Sequence, residues 1–319
     1  MYLPTVAAIP PGALDLTGEA VRRRRDLQRG AMQSLQQAGY EELIPPTFEY
    51  EDTFLRAGGS GVAERLVRFP DRDGRILALR YDFTASLARV AATTFSSTTG
   101  PLRLSYSGTV YRQEPERGGR PREILQVGAE LLDQRDLNGD VEVVRLTLSL
   151  LRSAGVRDFQ LNLGHVGVIA AGLAALEEPL RSDVRRWIDR KDRGSLSRAL
   201  TDVAGDACTL TSLPFVIGRR DALEDALRKA PPASRSGLVH LLALDDTLSA
   251  DERAHLVYDL GEVRGLDYYT GIHFEVYVAG AGRAVGAGGR YDELMARFGR
   301  PMPAVGLSLD LDAIAEVQP

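Results

Sequence analysis

Residues 102–132, LRLSYSGTVYRQEPERGGRPREILQVGAELL, contain two runs of strand-forming residues on either side of a turn. The first run covers residues 102–112 and the second covers residues 122–132, with Glu-Arg-Gly-Gly at 116–119 between them. Apolar and β-branched residues that alternate with polar ones, bounded by glycine, are typical of strands joined by a turn. The stretch therefore predicts a long antiparallel β-hairpin.

The side chains of this hairpin divide into a polar and an apolar face. Successive residues of a strand point to opposite faces, so Arg122, Gln126 and Glu130 share one face of the second strand, and Arg112 and Glu114 share one face of the first. The other face of the second strand is apolar, with Leu125, Val127, Ala129 and Leu131. The polar face fits either a solvated surface or the floor of a polar ligand site.

The elements around the hairpin predict an α+β fold with an antiparallel sheet flanked by helices. Periodicity predicts helices over 17–38, 83–91 and 141–155, and strands over 75–80, 159–163, 272–278 and 305–309. Residues 165–250 are helical in character and rich in Arg and Asp. We therefore predict a core domain of residues 1–164 and 251–319, interrupted by an inserted, mainly helical subdomain at 165–250.

Composition excludes several classes of protein. The chain has 319 residues, 44% of them hydrophobic and 26% charged, as in globular proteins. A net charge of -5 argues against a dedicated nucleic-acid binder, which needs clustered positive charge, and the arginine run at 22–25 is interpreted as a solvated helix face. No stretch approaches the roughly 18 apolar residues of a membrane span. We predict a cytoplasmic protein.

No metal or other cofactor is predicted. Cys208 is the single cysteine, and neither Cys-x-x-Cys nor His-x-x-x-His spacing occurs, so a disulfide framework and a zinc site are not indicated. The four histidines lack a ligand pattern and are interpreted as structural or exposed: His165, His240, His255 and His273.

Several segments resemble the catalytic domain of class II aminoacyl-tRNA synthetases, specifically the histidyl branch. Residues 45–49 (Pro-Pro-Thr-Phe-Glu) resemble its first motif, which implies a homodimer interface. Residues 111–114 and 122–130 resemble its second motif, and residues 303–314 its last. The resemblance extends over most of the chain and implies a class II synthetase-like fold.

The segments that bind histidine in that family are well matched. They are Leu-Arg-Tyr-Asp-Phe-Thr at 79–84 and Val-Arg-Gly-Leu-Asp-Tyr-Tyr-Thr-Gly at 263–271, and Gly-Gly-Arg-Tyr-Asp at 288–292 matches the segment beside the second. Asp82 is one methylene shorter than the family's usual glutamate. The resemblance implies a histidine-binding site formed by Asp82, Thr84, Gln126, Glu130, Arg264, Tyr268 and Tyr269.

The nucleotide-binding residues of the family are matched only in part. By resemblance, Arg112 would contact the α-phosphate of ATP, and with Glu114 and Arg120 it forms a vestigial nucleotide site.

Three positions depart from the family's pattern. Pro115 replaces a basic residue, Ile124 replaces an aromatic ring that stacks on adenine, and Ala313 replaces the arginine that holds the γ-phosphate. Loss of such a charge-assisted contact can cost several kcal/mol of transition-state stabilisation. We therefore predict no catalytic residues and no adenylation.

This uneven pattern resembles the synthetase-like regulatory subunits of ATP phosphoribosyltransferase. That resemblance implies a non-catalytic subunit, required for the first step of L-histidine biosynthesis and for feedback inhibition by L-histidine. It also implies a homodimer that joins a hetero-oligomer with a short-form catalytic subunit. Because no anticodon-binding domain follows residue 314, no binding of tRNA is expected.

Two other hypotheses remain open at this point. The first is a ligase that activates histidine or another amino acid with ATP. Four retained residues favour it, and Ala313 and Ile124 oppose it; the four are Arg112, Glu114, Arg120 and Arg264. The second is a tRNA-binding module that uses the helical residues 185–193, which the negative charge of the chain disfavours.

Overall fold

The predicted hairpin forms the second and third strands of the nine-stranded main sheet. The computed structural model of the chain describes residues 9–58, 60–113, 121–201, 203, 205–262 and 269–318. Strand β5 (Leu102–Tyr111) pairs antiparallel with β6 (Glu123–Leu132), and Leu102 lies opposite Leu132 and Tyr111 opposite Glu123. The hairpin prediction is confirmed for both strands, whereas its turn at 116–119 lies outside the described residues.

The described strands form two sheets. The remaining strands are β1 (Glu41–Glu42), β2 (Phe48–Tyr50), β3 (Arg68–Pro70), β4 (Ile76–Leu79), β7 (Phe159–His165), β8 (Ile217–Gly218), β9 (Leu256–Asp259), β10 (Ile272–Val278), β11 (Ala284–Arg290) and β12 (Ala304–Asp310). The main sheet has the order β1-β5-β6-β12-β11-β10-β7-β9-β8, and the small sheet has the order β2-β4-β3. Neighbouring strands are antiparallel except β1 with β5 and β7 with β9. The predicted α+β class is confirmed.

Helices precede, connect and follow these strands. They are α1 (Gly18–Gln37), α2 (Glu51–Gly58), α3 (Ser60–Ala63), α4 (Thr84–Thr93), α5 (Leu137–Ser153), α6 (Ala170–Ala174), α7 (Leu180–Asp189), α8 (Arg193–Ala199), α9 (Arg220–Lys229), α10 (Pro232–Thr247), α11 (Ala250–Arg253), α12 (Leu294–Arg297) and α13 (Leu311–Val317). Short 3-10 helices cover Val166–Val168, Gly205–Thr211 and Leu213–Phe215. Among the described residues, no helix is both long and apolar enough to cross a membrane.

The apolar face of β6 is buried under helices, as its side-chain alternation predicts. Leu125, Val127, Ala129 and Leu131 all belong to the large apolar cluster, together with residues of α1 and α5. Because this back face is covered, the opposite face of β6 is the one that can present polar groups to a ligand. The fold therefore fixes which side of the sheet can carry a site.

The arginine run in α1 is not simply a solvated face. Arg23 donates hydrogen bonds to the carbonyl groups of Ala315, at 3.2 Å, and Gln318, at 2.9 Å. The Nε of Arg24 lies 2.7 Å from a carboxylate oxygen of Asp312. These bonds attach the first helix to α13 and correct the sequence interpretation for two of the four arginines.

Residues 165–250 are mainly helical, and they share the large apolar cluster with the rest of the chain. The short β8 extends the main sheet by pairing with β9. The division into a core domain and an insertion stays a prediction.

Strand β11 has no counterpart among the predicted strands. Its glycines lower the strand signal, and on sequence alone the segment at 288–292 fits a turn as well as part of a ligand site. The side chain of Phe274 and the backbone of β12 lie so close to Gly288 that a Cβ there would stand 2.4 Å from the Phe274 ring and 2.5 Å from the carbonyl oxygen of Gly306. Glycine is thus needed for close packing inside the sheet rather than for a turn.

A buried ion pair secures the end of β11. The Nε of Arg290 lies 2.8 Å from Oδ1 of Asp140 in α5, and its Nη1 donates to the carbonyl group of Gln134 at 2.9 Å. The other oxygen of Asp140 lies 2.7 Å from Nε2 of His240. His240 therefore has a structural contact. Asp140 of α5 also fixes the 288–292 segment through its ion pair with Arg290.

Candidate amino-acid site

The front face of three adjacent strands forms a polar floor. Gln126 of β6 lies opposite Asp310 of β12, and Glu130 lies opposite Gly306. On the other side of β12, Gly306 lies opposite Gly289 of β11. Since paired residues point to the same face, Gln126, Glu130 and Asp310 share one surface with Gly306 and Gly289, which carry no side chain.

Glu130 is the centre of this floor, and its side chain is 2% exposed. Its Oε1 accepts a hydrogen bond from the Thr84 hydroxyl at 2.7 Å, and its Oε2 accepts one from the Tyr291 hydroxyl. Burial raises the pKa of Glu130 to about 8, although both hydrogen bonds act to lower it. A carboxyl group with this pKa can present either an acceptor or a proton to a ligand near neutral pH.

Gly306 is required for the position of Glu130. A Cβ on residue 306 would stand 1.7 Å from Oε2 of Glu130 and 2.7 Å from the carbonyl oxygen of Ala129. Gly128 has the same function for Tyr106, because a Cβ there would stand 2.3 Å from the tyrosine hydroxyl. The polar side chains above the sheet thus lie directly on its backbone.

The segment before α4 supplies two more of the predicted residues. Asp82 Oδ1 accepts a hydrogen bond from the backbone N–H of Ala85 at 3.0 Å, so the carboxylate caps the first turn of α4. Burial raises the pKa of Asp82, whereas the Ala85 N–H and the positive charge of Arg112 lower it. The ring of Phe83 stacks on Tyr106 at 4.2 Å between centroids, which fixes the segment against the sheet.

Tyr269 closes the site on the side of β10 and β11. Its ring lies 5.9 Å from that of His273, with 19° between the two planes. Burial raises the pKa of Tyr269, and the nearby carboxylates of Glu130, Glu275 and Asp82 raise it further. The phenol therefore remains protonated near neutral pH and can donate a hydrogen bond.

The structure brings most of the predicted histidine-binding residues together. Thr84 bonds Glu130 directly, Asp82 and Tyr269 lie within electrostatic range of it, and Gln126 points to the same face. Arg264 and Tyr268 lie outside the described residues.

Tyr291 belongs to the site, although the sequence did not single it out as a site residue. It is buried, and its hydroxyl bonds Glu130. It lies within the Gly-Gly-Arg-Tyr-Asp segment at 288–292, which the resemblance placed beside the histidine-binding loop. The sequence could indicate this segment, but it could not show that the side chain of Tyr291, rather than that of a neighbour, contacts Glu130.

The predicted nucleotide side differs in character. Ile124 and Ala313 are 7% and 1% exposed, and each belongs to an apolar cluster. Arg112 stacks on the ring of Tyr81, with 5.1 Å from its Cζ to the ring centroid. Glu114 and Arg120 lie outside the described residues.

Two aspartates near the start of α13 make bonds within the protein. Asp310 Oδ2 lies 2.7 Å from Nη1 of Arg283, and Oδ1 accepts from the backbone N–H of Ala313 at 2.9 Å. Asp312 accepts from Arg24 at 2.7 Å and from the backbone N–H of Leu125 at 2.7 Å. Each carboxylate is paired with an arginine, so neither of these arginines is free to contact a phosphate group.

The chemistry of the floor suits a small ligand that carries an ammonium or imidazole group. Carboxyl, carboxamide and hydroxyl groups from Asp82, Gln126, Glu130 and Thr84 can accept hydrogen bonds from such groups. Among the described residues, no group of three or more His, Cys, Asp or Glu side chains is arranged to hold a metal ion.

The class of protein follows from comparison of this chain with a family model and with solved structures. The family model for histidyl-tRNA synthetase matches residues 12–314. A histidyl-tRNA synthetase structure from Nostoc sp. superposes with a TM-score of 0.79 at 19% identity, covering 98% of this chain and 75% of that one, which supports the shared fold. The chain has the class II histidyl-tRNA synthetase-like fold.

More similar relatives identify the branch. A Bacillus halodurans structure described as an ATP phosphoribosyltransferase regulatory subunit/histidyl-tRNA synthetase superposes with a TM-score of 0.88 at 29% identity, over 98% of this chain and 84% of that one. The ATP phosphoribosyltransferase regulatory subunit of Moorella thermoacetica is 38% identical over 96% of this chain and 80% of its own length. That of Geobacter sulfurreducens is 36% identical, over 98% and 73%. The chain belongs to the family of ATP phosphoribosyltransferase regulatory subunits.

Proposed function

We propose that this chain is the non-catalytic regulatory subunit of an ATP phosphoribosyltransferase, and that it binds L-histidine on the polar floor of its main sheet. Its partner would be a short-form catalytic subunit that carries out the first step of L-histidine biosynthesis in the cytoplasm. The main support for this proposal is a contrast between two parts of the site. Glu130 is held in place by hydrogen bonds from Thr84 and Tyr291, whereas Ala313 and Ile124 are buried apolar residues at positions where nucleotide contacts would be needed.

Feedback requires a difference in affinity between two states. Histidine inhibits the assembly only if it binds an inactive conformation more tightly than an active one. The floor is a suitable sensor because Glu130 lies on β6 and Tyr291 follows β11, so a ligand there bridges separate strands.

The test is an activity assay with purified subunits. We expect the short catalytic subunit to be inactive alone, active when this chain is added, and inhibited again by L-histidine. This chain alone should give no histidine-dependent exchange of pyrophosphate into ATP. A clear exchange signal would support the ligase hypothesis instead and would contradict the regulatory function.

We further propose that the chain forms a homodimer through the small sheet. Large apolar side chains are exposed on and beside it: Ile44, Phe48, Tyr50 and Ile76. Phe48 is 51% exposed, and its ring meets that of Phe69 edge-on at 5.9 Å. An exposed apolar patch of this kind is typical of an interface.

Light scattering tests the homodimer. The wild-type chain should have twice the mass of one chain, and Phe48→Ser should shift it towards the monomer. Val239→Ser is the matched control, because Val239 is 52% exposed but lies on α10, away from the small sheet. An equal shift in both variants would contradict the assignment of the interface.

A further inference from the structure

A series of buried contacts leads from helix α10 to the polar floor. Its first member is on α10, where Nε2 of His240 lies 2.7 Å from Oδ2 of Asp140 in α5. Its second member is the ion pair in which Nε and Nη2 of Arg290 lie 2.8 Å and 2.7 Å from Oδ1 of the same carboxylate. Tyr291 follows Arg290 in the chain, and its hydroxyl bonds Glu130. The contacts therefore join α10 to the centre of the candidate site.

Asp140 makes the positions of His240 and Arg290 depend on each other. The residue is 0% exposed, and each of its two oxygens is bonded within the protein. An ionised carboxylate only accepts hydrogen bonds, so both neighbours donate to it. A buried carboxylate that loses one of its donors is destabilised, because its charge is then only partly compensated. A displacement of His240 is thus resisted by Arg290.

The side chain of Arg290 has little free space. A Cβ on Gly271 would stand 3.0 Å from its Cδ, and a Cβ on Gly139 would stand 3.2 Å from its Nη2. Its Nη1 also donates to the carbonyl group of Gln134 at 2.9 Å. Because the guanidinium group is bonded and packed on several sides, Arg290 moves only together with its neighbours.

The backbone on either side of Tyr291 is held by the same group of residues. The carbonyl oxygen of Arg290 accepts from the N–H of Thr270 at 2.7 Å, and the N–H of Asp292 donates to the Thr270 hydroxyl at 3.0 Å. Oδ1 of Asp292 accepts from Nη1 of Arg290 at 3.1 Å. A shift of Arg290 is therefore passed to the backbone that carries Tyr291, and to Thr270, which follows Tyr269 of the candidate site.

We propose that His240 and Asp140 are positioning residues of the amino-acid site, which set the position of Tyr291 through Arg290 and couple α10 to the floor. This inference rests on the proposed function, since it takes histidine as the ligand. Coupling between two positions is reciprocal, so a ligand that fixes Tyr291 also favours the position of α10 in which His240 bonds Asp140. Val239, the neighbour of His240, is 52% exposed, so the coupling connects the floor with the protein surface.

Calorimetry with L-histidine and NMR of tyrosine labelled with ¹³C at Cζ test this assignment together. Cζ carries the hydroxyl group, so its chemical shift reports the hydrogen bond of Tyr291, and the signal is identified by its absence from Tyr291→Phe. His240→Ala should move this signal and lower the affinity for histidine about threefold to thirtyfold, the range for a residue that acts through a network. In the Tyr291→Phe background, His240→Ala should not lower the affinity further, because residues that act through one contact are not additive.

Two variants serve as controls. His240→Gln keeps an N–H donor for Asp140 and should restore most of the affinity and the wild-type Tyr291 signal. Asp245→Asn alters another buried carboxylate of α10, which is 2% exposed and accepts from the hydroxyl of Tyr258 at 2.7 Å and from Arg220 at 2.9 Å. These bonds lead to β9 and α9 rather than to the floor, so Asp245→Asn should lower the melting temperature without changing the Tyr291 signal or the affinity. Thermal denaturation of each variant shows that it is folded.

The outcomes separate this inference from the proposed function. If His240→Ala keeps the wild-type Tyr291 signal, or keeps the wild-type affinity, the coupling is wrong while the regulatory function stands. Equal changes in His240→Ala and Asp245→Asn, or a fall in affinity that persists in the Tyr291→Phe background, would also overturn the route through Tyr291. Failure of the folded wild-type chain to bind histidine would contradict the proposed function, and the Tyr291 signal would still decide whether His240 positions that residue.

Discussion

The two ends of the candidate site differ in whether their side chains are polar or apolar. At the amino-acid end, Thr84 and Tyr291 hold Glu130 above a glycine floor. At the end near α13, Ile124 and Ala313 are buried in apolar clusters. One end keeps a group of mutually bonded polar side chains, and the other is part of the apolar core.

Under the proposed function, the difference accounts for a fold that has lost one ligand and kept another. The carboxylates of Asp310 and Asp312 are bonded to Arg283 and Arg24, so neither the acids nor these arginines are available for phosphate. A nucleotide that used either arginine would first have to break its ion pair. Under the proposed function, this internal pairing and the loss of an arginine at position 313 both disfavour nucleotide binding.

The strongest test of the amino-acid end is Gly306→Ala. The added Cβ would stand 1.7 Å from Oε2 of Glu130 and 2.7 Å from the backbone oxygen of Ala129, so the carboxyl group must leave its position. We expect histidine binding to be abolished and the free energy of unfolding to fall by about 3 kcal/mol, the upper range for overpacking. Calorimetry and urea denaturation measure the two effects.

Gly30→Ala is the matched control for this change. Gly30 lies in α1, and a Cβ at this position would have no atom within 4 Å, so alanine should stabilise the chain by about 0.5–1 kcal/mol and leave binding intact. Normal histidine binding by Gly306→Ala would show that the amino-acid end does not depend on the position of Glu130.

The second test uses pH. Glu130 has a pKa of about 8 in the folded chain against 4.5 as its ordinary value. Between these values the folded state holds a proton that the unfolded state has lost, so the stability of the wild-type chain falls as the pH rises from about 5 to 8. Glu130→Gln removes this term, and we expect it to gain about 3–4 kcal/mol relative to wild type over that range.

Urea denaturation at several pH values measures this difference. Glu123→Gln is the control, because Glu123 lies on the same strand with an exposed side chain. If the free energy of unfolding depends on pH in the same way for wild type and Glu130→Gln, the pKa of Glu130 is not raised in the folded chain. Glu130 would then behave like an exposed acid such as Glu123.

The third test probes the other end with Ala313→Arg. Ala313 is 1% exposed and lies in the large apolar cluster, so the guanidinium group must displace packed side chains. We expect a loss of about 1–2 kcal/mol, because part of the long side chain can reach solvent. No histidine-dependent pyrophosphate exchange should appear, since Ile124 still offers no aromatic surface.

Glu316→Arg on the same helix is the control, and at this exposed position its effect should stay within about 0.5 kcal/mol. Appearance of pyrophosphate exchange in Ala313→Arg would mean that a single residue, and not the packing of the whole end, separates this chain from an activating enzyme.

Sequence predicts the elements whose signal is local. The period of two in β6 gives its buried and polar faces, and the apolar stripe of α1 predicts a helix over 17–38, against Gly18–Gln37 observed. The strand predicted over 272–278 is β10, at Ile272–Val278. In each case, neighbouring residues in the chain carry the pattern.

What sequence cannot predict depends on contacts between distant residues. Tyr291 reaches Glu130 across 161 positions, and Arg290 reaches Asp140 across 150. Strand β11 escapes prediction because its glycines serve contacts with neighbouring strands that only the folded sheet creates. The functional residues of this site are thus predictable in type, but their partners are set by tertiary packing.

The smallest expected effect comes from Asp82→Glu, which gives the amino-acid end the longer side chain that is usual in the synthetases it resembles. The shorter carboxylate of Asp82 caps α4 through Ala85, at 3.0 Å, and a longer one fits this bond poorly, so stability should fall by about 0.5–1 kcal/mol. The carboxylate that is released can reach further over the floor, and histidine affinity should rise. Urea denaturation and calorimetry measure the two effects.

Asp136→Glu is the control for this exchange. It disturbs an equivalent cap, with Asp136 bonded to the N–H of Asn138 at 3.1 Å, away from the floor. It should lose similar stability without any change in histidine affinity. If both variants leave the affinity unchanged, Asp82 serves the helix alone, and the amino-acid end binds its ligand through fewer of the predicted residues than its sequence indicates.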